Sequence, residues 1–266
     1  MSKVHAQLMD EIHEELQQVM REKEPSGGGW DHMFASRGID EHLGSSSVSG
    51  EQIALTFWRR AVSGSKGVFE YVALGVAPFS STLLHNVIRD LDRRKEWDPH
   101  CASVTWLQRS ETTKDDDIIH MEIAYPFPLA NRDYVFARKT RAIVHDTGIM
   151  SYLTLCETVE RPEKPEKRSI VRVVDFYQHF YIEPRNDRGC WFVIKTRDDP
   201  RGHIPKSVVN WAICKALPAL ADSLNDRCRA CENLYGTEHV HTDGNTSPTL
   251  RPERRHTRKR SRLIVI

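Results

Sequence analysis

The chain has 266 residues, 39% apolar and 28% charged, with a formal net charge of +1; this is a folded composition, long enough to bury one large core or two small ones, and neither a polyanion nor a polycation. No apolar run approaches the roughly 20 residues of a membrane-spanning helix, and the start, MSKVHAQLMDEIHEEL, has no apolar stretch ahead of a cleavage site, so no export signal is expected. Six cysteines are too sparse for a disulfide scaffold and read as reduced thiols of a cytoplasmic protein.

In chain order, residues 3–24 predict an amphipathic helix, with Val4, Leu8, Ile12, Leu16 and Val19 at helical spacing. Pro25 and Gly27–Gly29 stop it, so 1–29 is set apart as a helix and Gly-rich linker. A Gly/Ser stretch, Gly44 to Gly50, reads as a loop. Ile53–Val62 and Val68–Ala77 then predict a hairpin around Ser63–Gly67. A helix is expected from Ser81 to Trp97, capped by Ser80 or Ser81, striped by Leu84, Val87, Ile88 and Leu91 and ended by Pro99. Six strand-like runs follow: Cys101–Gln108, Asp117–Tyr125, Asp133–Val144, Ile149–Val159, Ile170–Ile182 and Cys190–Lys195. Their length suggests a strongly curved sheet. A last helix is expected over 206–235, kinked at Pro218, with Val209, Ile213, Leu217 and Leu220 beginning its apolar face.

The order is α+β: consecutive strands in one curved antiparallel sheet, with a long C-terminal helix across it. Residues 30–235 form the domain, and 236–266 is an expected disordered tail. From Leu250 to Ile266 the tail holds seven basic residues and one acidic, a local +6, against 31 basic and 36 acidic elsewhere. A basic tail can meet anionic lipid headgroups, serve as an import or nucleic-acid arm, or remain solvated. The short apolar end Leu263–Ile266 favours the membrane over nucleic acid.

Alternation along the strands places Ile170, Arg172, Val174, Phe176, Gln178, Phe180 and Ile182 on one face, with Ile119, Met121, Ile123, Tyr125, Tyr134, Phe136, Phe192, Ile194 and Thr196 as its companions. Pattern alone does not separate a filled core from a cavity, and by itself it favours the filled core. Arg94 and Asp98 continue the apolar stripe of the 81–97 helix. Such a pair is either a solvated helix end or an inward pair, and an inward pair costs several kcal/mol per ion unless hydrogen-bonded. A guanidinium held by a carboxylate is a fitting phosphate receptor.

At these residues the chain resembles the START (steroidogenic acute regulatory protein-related lipid transfer) family, most closely its phosphatidylcholine transfer protein-like branch. The resemblance is carried by Arg94-Lys95-Glu96-Trp97-Asp98, Tyr125-Pro126-Phe127-Pro128 leading to Asn131-Arg132-Asp133-Tyr134-Val135, Val171-Arg172-Val173, and Asp198–Pro205 leading to Val208-Val209-Asn210-Trp211. It implies a helix-grip fold enclosing one lipid, with Arg94 on the lipid phosphate and Asp98 holding Arg94. It further implies a headgroup cage at Met121, Tyr134, Phe176 and Thr196, and Ile123 is expected to bind the lipid beside it. Of the family's cage aromatics Tyr134 is retained; Met121, Phe176 and Thr196 stand where the family has Trp, Tyr and Tyr. Ring faces hold a quaternary ammonium, and Met and Thr have none, so phosphatidylcholine and phosphatidylethanolamine both stay open as ligands. Gln178 is aimed at the lipid glycerol or ester region, or is a satisfied core Gln.

The expected function is a non-enzymatic carrier of one glycerophospholipid between membranes, transiently bound at their surfaces, with the 206–235 helix as lid. The alternative is a lipid-gated sensor with a partner-dependent output. An acyl-CoA thioesterase is disfavoured, because no nucleophile is paired with a base at a recognised spacing. No metal or cofactor is expected: Cys228-x-x-Cys231 lacks a second pair at zinc spacing and reads as packing.

Overall fold

The computed structural model describes residues 3–36, 52–65, 67–110, 116–146, 148–185, 189–202, 204–205, 208 and 215–235. Helix α1 (Lys3–Glu22) is followed by strands β1 (Asp31–Ala35), β2 (Ala54–Ala61) and β3 (Phe69–Ala77), helices α2 (Ser81–Arg89) and α3 (Arg94–Trp97), and strands β4 (Cys101–Gln108), β5 (Asp117–Ile123), β6 (Arg132–Val144), β7 (Met150–Thr158), β8 (Val171–Val173), β9 (Phe176–Pro184) and β10 (Cys190–Asp198). Helix α4 (Leu217–Tyr235) closes the described chain. The strands form one sheet in the order β1-β2-β3-β10-β9-β7-β6-β5-β4, antiparallel throughout, with β8 added in parallel to β6.

Both faces of the sheet are apolar, and they are covered differently. Helix α1 lays Met9, Ile12, Leu16, Val19 and Met20 on the outer face, against Val72, Leu74, Leu153, Leu155, Tyr181 and Val193. That seam is dry: Leu16, Leu74, Leu153, Tyr181 and Val193 have no exposed surface. Helix α1 therefore shares a core with the domain it was set apart from in the sequence. Its buried stripe uses Met9 rather than the expected Leu8, which is exposed.

The opposite, concave face carries Phe180, Ile182 and Phe192, packed with Leu84 and Val87 of α2, Trp97 of α3 and Leu217, Leu220, Leu224 and Cys228 of α4. Strand β3 shows why this face has room. It reads Val72-Ala73-Leu74-Gly75-Val76-Ala77, and period-two alternation sends the large residues outward to α1 and the small ones inward. At Gly75 the ring of Phe192 occupies the space that a Cβ would take.

Three expected elements differ. The 81–97 helix is two helices: the Asp90 amide closes the first on Asn86 O at 3.0 Å, and the chain turns at buried Leu91 before α3. The 170–182 strand is also two. Val171–Val173 pairs with β6, Val174 and Asp175 are exposed, and β9 starts at Phe176. The break shifts the alternation, so buried Val173, not Val174, continues the inner side. Helix α4 is regular only from Leu217: a π-helical turn at 215–216 comes just before Pro218, where the kink is expected. Val209 and Ile213, and the tail 236–266, lie outside the described residues. No described helix is long and apolar enough to cross a membrane.

Candidate functional site

Helix α3 is one turn long and exists to present an ion pair. The Asp98 amide donates to Arg94 O at 2.9 Å, which winds the turn and brings the two side chains to one side. Arg94 Nε donates to Asp98 Oδ2 at 2.7 Å, and the other carboxylate oxygen, Oδ1, accepts the His100 amide at 2.9 Å. Asp98 is 3% exposed and Arg94 18%. The guanidinium also lies over the indole of Trp97, 4.2 Å from its centroid. Carboxylate and indole leave the Arg94 side chain little freedom. Among the described residues its two terminal nitrogens have no hydrogen-bond partner, which is the arrangement of a guanidinium prepared for an anion.

Trp97, under the Arg94 guanidinium, packs in the cluster on the concave face. Arg94 is one of the charges acting on Cys156, whose thiol burial pushes up to about 12. Cys156 stands beside Gln178, and Gln178 beside Thr196, in one cross-strand row. In that row Gln178 is exposed and Thr196 partly so, although their strands are central in the sheet. The described side chains leave this part of the concave face accessible, in contrast to the dry seam under α1. The Thr196 hydroxyl is turned away, donating to Tyr177 O at 2.9 Å.

The next row holds Thr158, Phe176 and Asp198. Phe176 meets Tyr134 edge-on at 5.0 Å and Phe136 at 5.7 Å. Met121 is opposite Tyr134 in register, and both belong with Ile123, Phe136 and Phe176 to one apolar cluster. The structure thus gathers Met121, Ile123, Tyr134, Phe176, Gln178 and Thr196 on one face, and the Arg94 charge acts on Cys156 in the Gln178 row. Leu217 and Leu220 pack against the Phe180–Phe192 part of the same face.

The sequence reading omitted Asp198. Its position two residues after Thr196 puts it on the same face, a signal that strand alternation already contained. Tyr134 Oη donates to Asp198 Oδ2 at 2.9 Å. Burial, its largest cause, holds the Asp198 carboxyl above the usual carboxylate range, against the Tyr134 hydrogen bond. The segment after it is fixed by Arg132, which donates to Pro200 O, Arg201 O and Ala130 O at 3.0, 3.1 and 2.6 Å. Asp133 beside it is clamped by Arg172 at 2.8 and 2.9 Å and by His120 at 2.9 Å, a buried knot joining β5, β6 and β8. Cys228 is fully buried in the α4 seam, as packing requires.

Comparison with known proteins agrees with this geometry. The START domain family model matches residues 10–233. Mouse phosphatidylcholine transfer protein is 33% identical over 178 residues, 66% of this chain and 79% of that one. The human mitochondrial StAR-related lipid transfer protein 7 is 23% identical over 66% of this chain and 48% of its own length. Among solved structures, human StAR-related lipid transfer protein 5 superposes with a TM-score of 0.63 at 15% identity, covering 87% of this chain and 100% of that one. Human STARD10 superposes with a TM-score of 0.62 at 20% identity, covering 82% and 81%. With its curved antiparallel sheet, its C-terminal helix and a family match spanning nearly the whole described chain, the protein belongs to the START domain family.

Proposed function

We propose that the protein is a non-enzymatic carrier of one glycerophospholipid, which it takes from one membrane, shields in water and delivers to another. The observation that supports this most directly is Arg94: 18% exposed, held by Asp98 and Trp97, and, among the described residues, with no hydrogen-bond partner on either terminal nitrogen. A phosphodiester satisfies that guanidinium with two parallel hydrogen bonds. Met121, Ile123, Tyr134 and Phe176 would surround the headgroup, and Gln178 would meet the glycerol or ester oxygens.

Hydrocarbon energetics explains why a carrier is needed. Each buried CH₂ contributes roughly 0.8 kcal/mol, so two chains of about 15 carbons resist entering water by roughly 20 kcal/mol. An apolar chamber barely alters the difference between bilayer and protein; it removes the aqueous intermediate. The chamber must open at the bilayer, and α4 is the element we assign as lid, because it covers the concave face mainly through apolar side chains packed on α2, α3 and the sheet, with the Arg227–Glu96 ion pair at 3.2 Å and the Ile53 amide donating to Asn225 Oδ1 at 3.2 Å as its polar ties. Peripheral membrane contact has a second support in Phe127, which projects 97% exposed from the loop between β5 and β6. Tail residues 250–266 add positive charge for anionic headgroups. The place of action is the cytoplasm, with transient stays on membrane surfaces.

Mass spectrometry of lipids extracted from the purified protein should find about one glycerophospholipid per chain, and vesicle-to-vesicle transfer should be fast. Arg94→Gln, which keeps length but not charge, should lower transfer at least about tenfold, the loss of one charge-assisted pair. A lipid-free protein, or full transfer by that variant, would overturn the proposal. Slow exchange with an output that needs a partner protein would favour a lipid-gated sensor instead.

A further inference from the structure

The outer face of the sheet holds a positive cavity that lipid carriage does not use. Helix α1 ends where the Lys23 amide donates to Val19 O at 2.9 Å, with Lys23 in the left-handed region at φ 62°. Its ammonium comes to rest 3.7 Å from the centroid of the Trp191 indole on β10. Arg185, just past β9, stands over the same ring at 4.5 Å. Trp191 points outward: it packs on Ala54 and Val76 and on the α1 seam, while its neighbours Cys190 and Phe192 belong to the concave cluster. Gln17, Met20 and Arg21 of α1, with Lys23, Glu183 and Trp191, line a cavity of about 300 Å³.

Charge and hydrogen bonding decide what the cavity takes. Among the described residues, neither the Lys23 ammonium nor the Arg21 guanidinium has a hydrogen-bond or ion-pair partner. Burial first, and then the Arg185 charge, hold the Lys23 ammonium below its ordinary pKa, against the pull of Glu183. Glu183 itself accepts the Tyr181 hydroxyl at 3.0 Å. The negative end of a helix attracts cations, which accounts for basic residues at the end of α1. It does not account for an ammonium seated on an indole beside a second cation and without an acceptor. An anion there relieves the repulsion and supplies the acceptors. Arg21, Lys23 and Arg185 against Glu183 leave an excess of two positive charges, and a phosphate monoester carries roughly −1.5 to −2 with three acceptor oxygens. We infer that this cavity binds a phosphate monoester, its oxygens taken by Lys23 and Arg21 and its charge balanced further by Arg185. A phosphorylated lipid headgroup in a bilayer and a soluble phosphate present the same oxygens. The site lies across the sheet from the Phe180–Phe192 cluster, so it is separate from the carried lipid.

Inorganic phosphate is titrated into the full-length protein at constant ionic strength, with sodium chloride as the control. The indole N–H signal of Trp191, assigned by its loss in Trp191→Phe, is followed by nuclear magnetic resonance. It should move saturably with phosphate and stay in place with chloride. Lys23→Asn removes the charge, and Asn tolerates the left-handed conformation, so the fold, checked by thermal melting, should persist. Phosphate binding should weaken about tenfold, the loss of one charge-assisted hydrogen bond. Arg21→Gln, at an exposed position, is the second variant and should weaken binding in the same direction. Vesicles then identify the source. Phosphatidylcholine vesicles containing phosphatidic acid, which carries a phosphate monoester, are compared with vesicles brought to the same surface charge by phosphatidylserine; tail residues 250–266 respond to both alike. A lipid source is shown if Lys23→Asn lowers binding to the phosphatidic acid vesicles alone, and a soluble source if it lowers the phosphate titration and neither vesicle. An indole signal indifferent to phosphate, or one that responds equally in the folded variants, would overturn the inference and leave the carrier reading standing.

Discussion

At the scale of single residues, the concave face is shaped by what is small and what is neutral. Gly75 is required because the Phe192 ring lies where its Cβ would be, across the β3–β10 pair. Gly75→Ala should destabilise the fold by about 1–3 kcal/mol through overpacking, read as a lowered midpoint in urea at unchanged slope. His85 stacks on Tyr152 at 3.9 Å, and burial drives its pKa down to about 3. The folded state thus keeps the imidazole neutral where the unfolded chain protonates it near 6.5, and the unfolded state binds more protons between those values. Stability should therefore decline as pH falls through that window. His13 and His120, also lowered chiefly by burial, contribute with the same sign. His85→Phe keeps a ring on Tyr152 and should flatten the melting temperature between about pH 7 and about pH 5 relative to wild type; parallel curves would remove His85 from this account.

At the scale of elements, the two long helices have opposite tasks on the same sheet. Helix α1 seals the outer face with side chains at zero exposure and adds polar ties, such as Lys195 Nζ to Glu15 at 2.6 Å. Helix α4 covers the concave face mostly with partly buried residues: Leu217, Leu220, Leu224 and Cys231 keep some accessible surface, while Asn225 and Cys228 are buried. A cover that must move is drawn from the less tightly packed contacts of a structure. A covalent cross-link between α4 and α2 should stop transfer between vesicles while leaving bound lipid in place; undiminished transfer would remove α4 as the lid. Element boundaries were the least legible feature of the sequence. The 81–97 and 170–182 segments read as single elements because their apolar spacing continues across the breaks. What interrupts them is tertiary: Leu91 turns into the cluster of Ile119 and Tyr134, and β8 leaves to pair with β6.

At the scale of the whole molecule, charge and exposed apolar surface are segregated. The body is mildly acidic and the last 17 residues strongly basic, while Phe127 stands out at 97% exposure. Through Arg132, which follows the Phe127 loop, that loop is tied to the 200–201 segment beyond Asp198, so the exposed ring and the headgroup end of the site share one end of the sheet. Phe127→Ser should weaken binding to phosphatidylcholine vesicles by about threefold to tenfold, and deletion of 250–266 should weaken binding to anionic vesicles alone, as salt does; sedimentation with vesicles of each composition separates the two effects.

The sequence by itself determined the α+β class, the chain order of the strands, the inner parity of Phe176, Gln178, Phe180 and Ile182, and the Arg94–Asp98 spacing. These depend on periodicity, a local property that any strand or helical turn expresses. Tertiary structure alone decided that α1 belongs to the core, that Met9 rather than Leu8 faces inward, and that, among the described residues, the terminal nitrogens of Arg94 have no hydrogen-bond partner. It also decided that the Tyr134 hydroxyl meets Asp198 across the sheet. Those are relations between residues far apart in the chain, set by strand register and by which face each helix covers, and neither is written in the spacing of neighbours.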